Sequence, residues 1–71
     1  MSTSGTSRYV NPETKEFWNA EVNGKFVTVH FGVVGATTHT ASREFTSYRE
    51  ALLFVQDRIA KKVENGYKKV D

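Results

Sequence analysis

The chain contains no cysteine, so neither a disulfide framework nor a thiolate metal site stabilises it, and a reducing compartment is permitted. Zinc ribbons and thiol redox chemistry are thereby excluded. Proline occurs once, at Pro12, and tryptophan once, at Trp18. No apolar run approaches the length of a bilayer span. The N-terminus also lacks the basic and apolar regions of a signal peptide, so the expectation is a soluble, cytoplasmic protein with no membrane role. Charge of one sign is scarce too, with a formal net charge of +2. Residues 1–50 carry five basic against five acidic side chains, and residues 51–71 carry five against three. A pI near 9.1 admits a polyanionic partner, but so small a surplus does not demand one. At 71 residues the chain makes one domain, close to the smallest size at which a single apolar core supports folding without staples.

Residues 1–7 are Ser, Thr and Gly after Met1, with no apolar anchor, which predicts a disordered leader before a single domain over residues 8–71. Arg8, Tyr9 and Val10 read as a first short strand ended by Asn11-Pro12, because proline lacks a ladder donor. From Glu16 to Val22 the residues alternate, with Trp18, Ala20 and Val22 on one face, the period of a half-buried strand. Asn23-Gly24 suits a two-residue type I′ turn, and the return strand aligns Val27, Val29 and Phe31. Both faces carry aromatics, which leaves the facing open. Residues 36–45 are rich in β-branched side chains and read as a third strand of the meander, paired with residues 25–31. Ser47 and Glu50 then have the spacing of a capping box. A helix is predicted over about 48–64, with Tyr48, Ala51, Leu52, Phe54, Val55, Ile59 and Val63 forming its apolar stripe and Gly66 its stop. Tyr67 to Val70 offers a last strand. The expected fold class is α+β: an antiparallel meander sheet of about four to five strands packed on one long helix near the C-terminus.

Two glycines, Gly32 and Gly35, follow directly on the alternating strand that ends at Phe31, which marks a corner needing backbone freedom. Phe17-Trp18, the hairpin, this corner, Arg43-Glu44-Phe45, the capped helix and the Lys62-x-x-x-Gly66-Tyr67 ending occur in an order and spacing that resemble a WGR domain. The Trp-Gly-Arg triplet that names the family stands here as Phe31, Gly32 and Val33. The resemblance covers roughly residues 8–70. It implies a non-enzymatic binding module, since WGR domains are known as DNA-binding regulatory modules of some poly(ADP-ribose) polymerases and as small bacterial proteins. In the polymerases the signature Trp packs on a terminal nucleotide near a 5′ phosphate and the signature Arg helps to read the backbone. Those roles fall here on Phe31, which keeps an aromatic face, and on Val33, which has no donor for phosphate.

From the residues themselves, Lys25, His30 and Arg43, and also His39, offer a basic surface on the sheet face away from the helix; with Phe31, whose stacking role the resemblance implies, Lys25, His30 and Arg43 make the expected nucleic-acid surface at the sheet or its corner. The alternative is a protein-interaction patch at Phe31, Val33 and Val34, where replacing arginine with valine enlarges an apolar corner. His30 and His39 supply two imidazoles, whereas zinc normally takes three or four protein ligands, so no metal and no cofactor is expected. Neither histidine has a nucleophile and a supporting carboxylate at recognisable spacing, which argues against an enzyme. Trp18 and Tyr67 read as core. The lysines at 61, 62, 68 and 69 form a cluster able to contact polyanions, although lysines at a helix end and chain terminus read first as solvated.

Overall fold

Alternation of apolar and polar residues drives the first four elements of the chain into one antiparallel sheet, seen in a computed structural model that describes residues 4–70. The strands are β1 (Ser4–Asn11), β2 (Glu16–Asn23), β3 (Phe26–Val33) and β4 (His39–Glu44); after the helix α1 (Tyr48–Glu64) comes the two-residue β5 (Lys68–Lys69). Their order across the sheet is β4-β3-β2-β1-β5. No helix among the described residues is long and apolar enough to cross a membrane.

β1 begins earlier than the strand expected at Arg8. Ser4 to Ser7 pair with Asn23 to Ala20, because the backbone ladder of β2 offers partners whatever the side chains are. Of the leader expected over 1–7, residues 1–3 lie outside the described residues. The hairpin also turns one residue later than expected. Asn23 pairs with Phe26, so Gly24 and Lys25 are the turn residues, and only Gly24 has positive φ, at 62°. That pattern fits a type II′ turn with glycine first, not type I′. Moving the turn by one residue shifts each cross-strand partner by two, so no side chain changes face.

Register settles the facing. Trp18 lies opposite Phe31, Ala20 opposite Val29, and Val22 opposite Val27, and all six project to the helix side. Trp18, Ala20, Val22 and Val27 are buried together with Ala51 and Val55 of α1 and with Tyr67, each fully buried valine being worth roughly 1.5–3 kcal/mol. The helix lies over β2 and β3 and leaves β4, every residue of which is exposed, uncovered. Of the expected stripe, Val63 and Tyr48 remain 52% and 39% exposed, since they sit at the two ends of α1, beyond the packed centre.

The helix starts as expected at Ser47, whose Oγ accepts from the Glu50 amide at 3.2 Å. The Glu50 carboxylate does not complete the capping box. It is held by the Thr46 hydroxyl, a nearer donor. At the other end the Gly66 amide donates to the Val63 carbonyl and the Tyr67 amide to the Lys62 carbonyl, with Gly66 at φ 95°. This is a Schellman motif, and it swings Tyr67 under the last turn of the helix.

One buried polar side chain joins that motif to the sheet. Asn11, 7% exposed, donates through Nδ2 to the Asn65 carbonyl at 3.1 Å and accepts through Oδ1 from the amides of Glu13 and Thr14. Replacing Asn11 with alanine strands these groups, each unsatisfied one costing about 1–3 kcal/mol. We expect Asn11→Ala to lower unfolding free energy by about 2–4 kcal/mol, whereas Pro12→Ala, at an exposed turn position, changes it by under about 0.5 kcal/mol; urea denaturation of both variants reads the difference.

Candidate nucleic-acid interface

The corner after β3 is built around a glycine that no other residue replaces. Gly32 has φ 152°, and a Cβ there would lie 2.9 Å from the Thr37 carbonyl oxygen and 3.6 Å from the Phe17 ring. The loop thus folds tightly against the end of β3, tied further by the Val34 amide donating to the Lys15 carbonyl at 2.7 Å. This fixes Phe31, immediately before the glycine, at the rim of the molecule. It is 40% exposed, and its ring stacks on that of His39 with centroids 5.5 Å apart and planes 28° from parallel.

Across from this aromatic pair stands the last turn of α1. The Schellman motif brings the Lys62 ammonium over the Tyr67 ring, 5.0 Å from its centroid, a cation–π contact that holds a long side chain in place. Phe31, His39, Lys62 and Tyr67, together with Gly32 and Glu16, line a cavity of about 450 Å³ that wraps round the end of β3. A second cavity, of about 400 Å³, opens on the helix side, with Trp18, Ala41, Phe54 and Arg58 in its walls. Phe31 and Lys62 belong to both. Arg58 packs its guanidinium 5.2 Å from the Phe54 centroid. Among the described residues the salt bridges are Lys25 with Glu44 and Lys61 with Asp57, so Lys62 and Arg58 keep their charge unpaired there.

Of the four residues expected to form a nucleic-acid surface, Phe31 and Arg43 share a face and Lys25 and His30 do not join them. Only His30 lies on the face away from the helix, half-buried, with its Nδ1 3.1 Å from the Thr40 hydroxyl. Phe31 is on the opposite face, as is Arg43, which pairs with Val27. The Arg43 guanidinium lies 4.9 Å from the Phe45 centroid and 5.5 Å from that of Phe54, closing the open side of the core. Lys25, in the hairpin turn, is bound to Glu44 at 2.9 Å and stands roughly 20 Å along β3 from Phe31. His30 and His39, neighbours in register, point to opposite faces, and no group of three or more metal-ligating side chains occurs among the described residues. By contrast Phe31, Val33 and Val34 all meet at the corner, 40%, 44% and 59% exposed.

Reading along the sequence missed Arg58 as a candidate site residue and weighed Lys62 only within the lysine cluster at the helix end. The signal lay in their spacing of four, which puts both on one helix face, and in the Lys62-to-Tyr67 interval that a Schellman motif converts into contact. Trp18 and Tyr67 are core residues, as expected, and each also forms a cavity wall.

Burial raises the pKa of the Tyr67 hydroxyl above its ordinary value of 10.0, and the Glu16 carboxylate adds to the shift. A phenol with a raised folded pKa contributes fully to stability below its unfolded pKa and loses that contribution as pH rises through the folded value. Stability should therefore fall from about pH 10 upward, with a shallower fall in Tyr67→Phe. Denaturation curves between about pH 9 and pH 11 check this; equal slopes in the two proteins would place the alkaline loss elsewhere.

Comparison with known proteins agrees with this anatomy. The sequence pattern of the family described as the WGR domain matches residues 6–71. No curated protein sequence matches the chain. Among solved structures, the chain is similar to a crystal structure of a Bacteroides fragilis protein, with a TM-score of 0.85 and 28% identity. That match covers 94% of this chain and 20% of the other, so the chain spans about a fifth of that protein's length.

Proposed function

The chain belongs to the WGR domain family, a binding-type domain, and from that premise we propose that it is a non-enzymatic module that binds nucleic acid at the end of β3. The observation that carries this reading is the exposed Phe31 ring, backed by His39 and faced by Lys62. A base stacking on such a ring gains roughly 1–3 kcal/mol. Lys62 and Arg58, reaching the same place from α1, supply the cations that Val33 does not. The resemblance to DNA-binding family members supports the choice of ligand, and the unpaired cations support a phosphate backbone. The surface first expected at Lys25, His30 and Arg43 has no such convergence, so those residues are assigned no shared role.

A protein-docking role is the second reading, favoured by the joint exposure of Phe31, Val33 and Val34. Salt separates the two, because phosphate contacts release counterions and weaken steeply as salt rises, while an apolar contact changes little. Chemical-shift titration of the labelled protein with a 5′-phosphorylated oligonucleotide at low and physiological salt is the test. Shifts clustered on Phe31, His39 and Lys62 are expected, with Phe31→Ala weakening binding about 5- to 100-fold and Lys25→Ala leaving it unchanged. No shifts at either salt would sink the nucleic-acid reading and direct attention to a protein partner, whose binding Val33→Asp should abolish.

A further inference from the structure

We propose that the two cavities meeting at Phe31 and Lys62 are consecutive nucleotide subsites, so that the module holds a two-nucleotide stretch of unpaired strand. This inference rests on the nucleic-acid reading above and specifies the form of its ligand. The helix-side cavity has the chemistry of a base pocket with a phosphate neighbour. Its floor is apolar and aromatic, from Trp18, Val29 and Ala41, and one wall is Phe54. Arg58 and Lys62 stand at its edge, and no carboxylate is among the residues lining it, whereas Glu16 lines the cavity at the corner. A polyanion thus meets less opposing charge on the helix side.

Position argues for the same occupant. Phe31, one face of its ring stacked with that of His39, lines both cavities, and Lys62, shared in the same way, stands where the phosphate linking two nucleotides would pass. The helix-side cavity exists because α1 does not cover β4 and because Ala41, exposed on that strand, is small. A base seated there has α1 on one side and β4 on the other. A base so seated stacks on protein side chains instead of on a neighbouring base pair, which is how single-strand binders hold bases, so the ligand is a single strand or a frayed end.

The test compares a 5′-phosphorylated thymidine dinucleotide with the same molecule lacking its second base, which keeps every phosphate and removes only the stacking group. Wild-type protein should bind the complete dinucleotide about tenfold more tightly, with a change in the emission of Trp18, the only tryptophan, seen for that ligand alone. Ala41→Leu, which fills the helix-side pocket from an exposed strand position, should erase the difference between the two ligands, its fold being checked by amide chemical shifts. Arg58→Gln should lower the salt slope for the dinucleotide by about one. Equal wild-type affinity for the two ligands, or a difference that survives Ala41→Leu, would overturn the two-subsite proposal and leave nucleic-acid binding standing. Failure of the wild type to bind either ligand would overturn both.

Discussion

The structure depends on one buried amide. Asn11 satisfies three backbone groups at once, two in the turn that follows β1 and one at the C-cap of α1, and a buried hydrogen-bond set of this kind is costly to leave incomplete. Two sides of the corner cavity connect to it. On one side, the turn it organises places the Lys15 carbonyl where the Val34 amide can reach it, which holds the corner containing Gly32. On the other, its bond to Asn65 holds the Schellman motif against the sheet, and with it Tyr67 and Lys62. In a domain without cysteine, this side chain links the turn beside the aromatic wall to the C-cap beside the cationic one, and the pairing of β5 with β1 adds to the tie.

Much of the fold was legible in the sequence because period and punctuation agreed. Trp18, Ala20 and Val22 alternate as a strand must, the helix bounds of 48 and 64 follow from Ser47 and Gly66, and the pairing of residues 25–31 with the next strand follows from short connections. The misreadings have local causes. Asn23-Gly24 carries the strongest hairpin signal, yet the apolar register of β2 against β3 is satisfied with Gly24-Lys25 at the turn, since glycine tolerates the first position alone. Residues 4–7 have no apolar anchor of their own, but strand pairing is a property of the partner's backbone as much as of the side chains that join it.

The site was half legible. Glycine spacing singled out the corner and Phe31, because a backbone at φ 152° pressed against the Thr37 carbonyl admits no side chain, and that need is visible as a glycine. Lys25, His30 and Arg43 look like a basic set along the chain, but alternate positions on a strand face opposite ways and ion pairing removes one of the three. Lys62 and Arg58 are remote from Phe31 in sequence and come to it only through the packing of α1, which periodicity does not place.

The bond from Asn11 to Asn65 also spans 54 residues, while the ladders among β1 to β4 join strands adjacent in sequence. Contacts between near neighbours close small loops, and closing a long one costs more chain entropy. The meander therefore has the kinetic advantage, and the docking of the C-cap is the long-range closure that completes it.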